Sequence, residues 1–533
     1  MKGGESASSD EKPRLSLSYR FSRRFFRFLA KVWFREINVV DDDQLPPEGG
    51  ILFITWHPNG LIDPLLINAS LDGKLTTIGK HTLFKIPILG FLLRSVGFVP
   101  VERPQDSKNK EASRKRNEVM LNGVGNDVAL GGQALLFPEG VTHGESDVKR
   151  VRSGAARIFL HALRAAEEKG KPLPNVVPLG LHYSASHAFR ERAALVIERP
   201  MKFPPHPPLD SDKKAQDLAD RAWISEVTEA ITVELRRANL SKTTWRERAM
   251  IWKGRSLVYA EKQRQSGGEL LKPSYAESIL GARRLRAGWE YMARHQPAQT
   301  ERLAKDCEHH FSNLDERDIT PYDVDSRPER LTTLGFFRAV CSWIWALFWM
   351  FGLVTWGAII GNYVPYKITA NLGSLLHRRG MDTSVIGSVK VGSAMILFPL
   401  WWAFMSGLLA WSILDEASPL NSSLVSHWLL SYVTFLPAVG VFLVFLIWWP
   451  TSARLHLELY ARLMRSTRQV KRWNAWNDES TDWDELMSVQ RSLAARLVEI
   501  GAGLVLPGDE DWQDPPAGKD DVDVVEMRAS LAA

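Results

Sequence analysis

Between residues 46 and 240, short apolar runs alternate with stretches in which apolar positions recur every three or four residues. The short runs are residues 51–55, 133–137, 176–181 and 194–197, and each reads as a strand. Ile51-Leu52-Phe53-Ile54 has no polar position, as expected of a buried strand. Helical periodicity falls between the runs, for example over residues 152–169. The alternation predicts an α/β domain with a mostly parallel central sheet flanked by helices.

The flanking patterns differ. A polar tail, 1–18, precedes residues 19–45, whose first part sets aromatics and Leu at helical spacing with Arg and Lys between them. That pattern fits a basic amphipathic helix on a membrane surface, or a helix packed on the domain core. Residues 241–330 are charged and helix-prone. From 331 to 450 the chain changes character, with long apolar runs at 340–360, 391–414 and 424–449. Each is long enough for a bilayer core, which takes roughly 20 residues. A helical membrane-embedded region with two or three hydrophobic segments is expected.

Lys367, Arg378, Arg379 and Lys390 lie between the first and second runs. Arg454, Arg462, Arg465, Arg468, Lys471 and Arg472 follow the third, and residues 415–423 contain no Lys or Arg. If basic connections face the cytoplasm, the first run enters and leaves on one side. It is therefore expected to be re-entrant or interfacial, with Gly352, Gly357 and Gly361 permitting a break, while the other two form a hairpin. A basic helical region, 451–506, follows, then an acidic Pro/Gly-rich tail, 507–533, expected to be disordered.

Composition narrows the function classes. The formal net charge of +6 suits anionic substrates or an anionic membrane surface. Neither zinc-finger spacing nor an RNA-binding signature occurs, so nucleic acid is not an expected partner. Two cysteines, Cys307 and Cys341, make neither a disulfide framework nor a metal cluster, and point to a reducing compartment. No metal-ligand set is expected, because His182 and His187 lack paired Cys or Asp at ligand spacing. The first twelve residues lack the apolar core of a secretory leader. Twenty tryptophans, many between 343 and 449, fit membrane interfaces.

Four blocks carry candidate chemistry. The first is Trp56-His57-Pro58-Asn59-Gly60-Leu61-Ile62-Asp63-Pro64, directly after the first strand. A histidine at a strand end, with a carboxylate beyond a Pro-Asn-Gly turn, can form a general base and its orienting partner, which turns an alcohol into a nucleophile. Next comes Gly97-Phe98-Val99-Pro100-Val101-Glu102-Arg103, where Arg103 offers a planar fork that matches phosphate, or an ion pair with Glu102. The third block, Phe137-Pro138-Glu139-Gly140-Val141-Thr142-His143, follows a strand, where open α/β sheets bind ligands. A loop His143 is expected to be a hydrogen-bonding partner. Val177-Pro178-Leu179-Gly180 forms the fourth, a buried strand and turn. Arg190 and Arg192 beyond it read either as phosphate contacts or as a solvated basic face. No Gly-x-Ser-x-Gly elbow occurs, which leaves a serine hydrolase without support.

In this order the blocks resemble the glycerolipid acyltransferase family, over about residues 46–240. The resemblance implies that His57 is the general base and that Asp63 orients its ring. It implies that Arg103 binds the acceptor phosphate, that Gly97 lets the chain turn close to the ligand, and that the Pro138-Glu139-Gly140 loop holds the acceptor. Five residues separate His57 from Asp63 where the family has four. With Thr142-His143, that departure resembles the fungal-type sn-1 branch, which acylates glycerol 3-phosphate or dihydroxyacetone phosphate. Acyl-CoA or acyl carrier protein would then be the donor, with no cofactor. The implied place is integral to the endoplasmic reticulum or a bacterial inner membrane, with the catalytic domain on the cytoplasmic side. Lysophosphatidate is the alternative acceptor, and a non-catalytic lipid-binding membrane protein is the alternative of another class.

Overall fold

The computed structural model describes residues 16–102, 109–184, 189–242, 244–415, 417–419 and 436–528. Helix α1, Leu17–Trp33, leads into β1, Glu36–Val40, and β2, Ile51–Ile54. Then follow α2 (Ile62–Ser70), β3 (Leu75–Lys80), α3 (Pro87–Ser95), β4 (Phe98–Val101), α4 (Lys110–Ala129), β5 (Gln133–Leu136) and α5 (Gly154–Glu168). Strands β6 (Asn175–Tyr183) and β7 (Arg192–Ile197) and helix α6 (Lys213–Ala238) close the α/β part. Its seven-stranded sheet has the order β1-β7-β6-β2-β5-β3-β4, and only the β6–β7 pair is antiparallel.

Burial on both faces explains the unbroken apolar runs. Leu52, Phe53, Ile54, Leu135, Val176, Val177 and Leu179 are each no more than 1% exposed. Burying such a side chain contributes about 1.5–3 kcal/mol. Central β2 lies between β5 and β6, with Ile54 opposite both Leu136 and Pro178. The carboxy-terminal ends of β2 and β5 therefore open onto the same edge, and the first and third blocks meet there.

Three outer strands escape the apolar pattern: β3 holds two adjacent threonines and ends in Gly-Lys, β4 is interrupted by Pro100, and β1 begins three residues after α1. Residues 19–45 are thus not one helix, and the domain starts at β1 rather than at residue 46. Arg190 shows why α1 stops. Its backbone N–H donates to Trp33 O at 2.7 Å, and its guanidinium donates to Lys31 O and Phe34 O at 3.1 and 3.2 Å. Tyr19, Phe26, Ala30 and Trp33 of α1 are buried, while Leu17, Phe21 and Phe28 stay exposed.

Helices α7 (Trp245–Gln265), α8 (Tyr275–His295), α9 (Pro297–Glu316) and α10 (Pro321–Asp325) occupy the charged region. Its sparse apolar residues, among them Leu257, Leu303 and Phe311, join Leu493 and Leu497 in a second core.

Next come α11 (Thr333–Met350), α12 (Leu353–Arg378), α13 (Thr383–Leu414), α14 (Ala438–Trp476) and α15 (Trp483–Ala502). Helices α11, α13 and α14 are long and apolar enough to cross a membrane. The run at 340–360 is broken between α11 and α12, with Gly352 capping the second. Antiparallel packing joins α13 to α14: Trp449 Nε1 donates to Ser406 Oγ at 3.0 Å, and Val441 meets Ala410 and Ile413. Residues 424–435 of the third run lie outside the described residues.

The acidic stretch from 507, expected to be disordered, is instead packed through Arg528. Strands β8 (Leu504–Val505) and β9 (Glu526–Met527) pair. Arg283 donates to both oxygens of the fully buried Asp521 at 2.7 and 2.8 Å, and Arg286 donates to Asp520 at 2.7 Å. Arg283, Arg286 and Arg294 share one face of α8 and neutralise the tail, which the tail's own composition does not reveal.

Candidate active site

The turn after β2 places His57 at the sheet edge, and Asp63 falls in the first turn of α2. His57 Nδ1 lies 2.8 Å from Asp63 Oδ2. The same oxygen accepts from Asn59 N–H at 2.8 Å, and Oδ1 accepts from the Tyr183 hydroxyl at 2.7 Å. Three donors and the amino end of α2 thus hold a carboxylate that is 0% exposed. Burial lifts the Tyr183 phenol well above its ordinary value, and the Asp63 charge lifts it further, so the hydroxyl remains a donor. With Nδ1 committed to Asp63, the Nε2 lone pair is the basic one, on a side chain 13% exposed. The wider His-Asp turn closes because Gly60 adopts φ +53°.

Phe137, from the end of β5, stacks on the His57 ring with centroids 4.0 Å apart. Glu139 is buried and fully engaged: Oε2 accepts from His57 N–H at 2.9 Å, and Oε1 takes His143 Nε2 and Lys149 N–H, both at 2.7 Å. It braces the turn that carries His57. His143 is 1% exposed and acts as the expected hydrogen-bonding partner. Pro138 O accepts Arg152 N–H at 2.9 Å. Gly140 has φ +68°, and a Cβ there would lie 3.3 Å from Arg152 Nε.

Two other site expectations end differently. Gly97 has φ +87° and turns the chain into β4, so it sits at the amino-terminal edge of the sheet, opposite His57. Its freedom serves the α3–β4 turn, where a Cβ would meet Leu75 O at 3.0 Å, and not a ligand. Arg103 lies outside the described residues. Its neighbour Glu102 pairs with Arg116 through both oxygens, at 2.6 and 3.1 Å. Arg190 caps α1, and Arg192 stands 4.9 Å over the Tyr275 ring, so neither is a free phosphate ligand. Among the described residues no three His, Cys, Asp or Glu are placed to hold a metal ion.

Sequence reasoning missed Tyr183, Asn59 and Ser388. Tyr183 ends a nine-residue strand and carries no motif. Ser388, on α13, accepts Leu61 N–H at 2.8 Å across 327 positions, which no local pattern signals.

Residues 36–181 match the family model described as Acyltransferase. The match spans both strand ends that carry His57 and Glu139, and makes this part of the chain similar to acyltransferase domains. Over 146 residues it is 24% identical to a chloroplastic 1-acyl-sn-glycerol-3-phosphate acyltransferase of Arabidopsis thaliana, spanning 26% of this chain and 38% of the relative. A chloroplastic enzyme of the same description from Brassica napus is 24% identical over 177 residues, 32% of this chain and 46% of its own. An uncharacterized acyltransferase of Schizosaccharomyces pombe is 30% identical over 101 residues, 19% of this chain and 14% of its own. The chain spans less than half the length of each of these relatives. The solved 1-acyl-sn-glycerophosphate acyltransferase PlsC of Thermotoga maritima is 16% identical, covers 39% of this chain and 77% of its own, and overlays with a TM-score of 0.26, too loosely to bear on function.

Proposed function

We propose that the protein is a membrane-bound glycerolipid O-acyltransferase whose acceptor is 1-acylglycerol 3-phosphate. The observation that carries the chemistry is the 2.8 Å contact between His57 Nδ1 and a fully buried Asp63 at the sheet edge. In this reading His57 Nε2 takes the proton of the acceptor hydroxyl as its oxygen attacks the acyl thioester carbonyl. The thiol of coenzyme A or acyl carrier protein then leaves, taking up a proton. Asp63 keeps the ring oriented and stabilises the imidazolium, and Asn59 and Tyr183 keep Asp63 in place. No acyl-enzyme is required, because positioning and electrostatics carry the step. Arg103 is the proposed phosphate ligand. The descriptions of the Arabidopsis and Brassica relatives support the lysophosphatidate acceptor.

A second reading, transfer to glycerol 3-phosphate or dihydroxyacetone phosphate, is favoured by the five-residue His-Asp spacing and by Thr142-His143. Purified protein supplied with labelled acyl-CoA and each acceptor in turn, beside His57→Ala, separates the two. Product from lysophosphatidate alone, absent in the variant, supports the first reading. Product from the water-soluble acceptors supports the second. Turnover that survives His57→Ala would overturn the mechanism in both.

A further inference from the structure

Away from the catalytic edge, α11 and the carboxy-terminal half of α14 enclose a groove of about 260 Å³. Trp345 and Trp349 line it from α11, and Arg462 and Arg465 line it from α14. Ser342 and Ser466, also in its lining, join the two helices through a 3.0 Å hydrogen bond.

The charges nearby are unevenly matched. Arg454 pairs with Glu458 at 3.6 Å, Lys471 with Asp318 at 3.6 Å and Arg472 with Asp323 at 2.6 Å. Among the described residues, Arg462, Arg465 and Arg468 between them have no acidic partner. Helix α11 contains no acid, and over 451–476 Glu458 stands alone against six Lys and Arg. Two uncompensated guanidiniums on one wall suit an anion such as phosphate, whose oxygens accept from both.

The opposite wall says what the phosphate is attached to. Trp345 and Trp349 are 62 and 47% exposed, on a helix apolar enough to enter a bilayer. Indoles at such a place mark the headgroup level of the membrane. A basic wall facing an aromatic one at that level fits an amphiphile with an anionic head.

We infer that the α11–α14 groove binds the headgroup of an anionic phospholipid. Arg462 and Arg465 hold the phosphate, and Trp345 and Trp349 lie against the glycerol and first acyl carbons. The site is separate from the His57 edge and does not depend on the reaction proposed there.

Native mass spectrometry of the full chain in detergent tests this, with phosphatidylglycerol, phosphatidylcholine and free glycerol 3-phosphate in separate arms. Each Arg near an anionic lipid adds about five-fold in affinity, so Arg462→Ala/Arg465→Ala is expected to weaken phosphatidylglycerol retention about 25-fold. Arg454→Ala, outside the groove, is expected to leave it unchanged. Arg462→Lys/Arg465→Lys, which keeps the charge, is expected to stay within a few-fold of the parent, and this separates lost charge from lost folding. Equal retention of phosphatidylcholine, parent-like retention by the double Ala variant, or equal loss in the Ala and Lys variants would overturn the site. Displacement of the lipid by free glycerol 3-phosphate would overturn the lipid and leave a small-anion site.

Discussion

Ser388, near the amino end of a helix long enough to cross a membrane, accepts a 2.8 Å hydrogen bond from the Leu61 N–H of the turn that joins His57 to Asp63. Its Oγ also lies 3.5 Å from Asn59 O, and a Cβ on Gly60 would stand 2.2 Å from it. The long apolar helix α13 is therefore built into the His57–Asp63 turn. Removing the hydroxyl costs about 0.5–1.5 kcal/mol of support. Ser388→Ala is expected to lower kcat several-fold with little change in donor KM, measured by steady-state transfer. An unchanged kcat would remove Ser388 from the positioning of the turn.

His57→Ala is expected to lower kcat about 10²–10⁴-fold, the usual contribution of a general base, and to lower Tm as well, since it takes a donor from buried Asp63. Asp63→Asn leaves a group of the same shape that can present the wrong hydrogen-bond partner to Nδ1. It should lose activity on the same scale, and near-parent kcat in either variant would refute the pair.

Tyr183→Phe removes one of three donors to a buried carboxylate. A hydrogen bond to a charged group contributes about 1.5–3 kcal/mol, so a lower Tm is expected. A Tm equal to the parent's would remove Tyr183 from the support of Asp63.

The tail supplies an acid-sensitive latch. Burial alone would raise the Asp521 pKa, but Arg283, with Arg237 and Arg286, outweighs it and holds the carboxyl below its ordinary 3.8. Between the folded value and 3.8 the unfolded chain binds more protons. The latch is thus fully formed above 3.8 and is lost as pH falls through the folded value. Asp521→Asn leaves buried guanidiniums uncompensated and is expected to cost about 3–5 kcal/mol in chemical denaturation. The variant's stability should also vary less with pH in that acid range than the parent's.

Topology is open to a direct measurement. If α13 and α14 form a hairpin and α11 lies at the interface, tags placed at 380 and 425 report opposite sides of the membrane. Tags at 330 and 380 report the same side, and finding those two on opposite sides would rule out an interfacial α11, while finding 380 and 425 on the same side would rule out the hairpin.

The buried strands and the His57–Asp63 pair were legible because both rest on local signals: an unbroken apolar run, and two chemical groups on one turn. Strands β1, β3 and β4 were not, since short strands of mixed polarity carry too little pattern. Glu139 is legible as a carboxylate on a loop after a strand, but not the three donors that meet it there. Gly97 is legible as a turn, but a glycine does not say at which end of a strand the turn lies. Ser388 and the ordered tail depend on contacts between distant parts of the chain, which periodicity does not encode.

Helix α13 runs unbroken for 32 residues, about 48 Å at 1.5 Å per residue. Its charge-free apolar part begins after Lys390, two residues beyond the Ser388 hydroxyl that braces the His57–Asp63 turn. A bilayer thinner than that apolar part is met by tilting the helix. In a helix that crosses a bilayer such a tilt would be felt at its amino end, where Ser388 meets the His57–Asp63 turn.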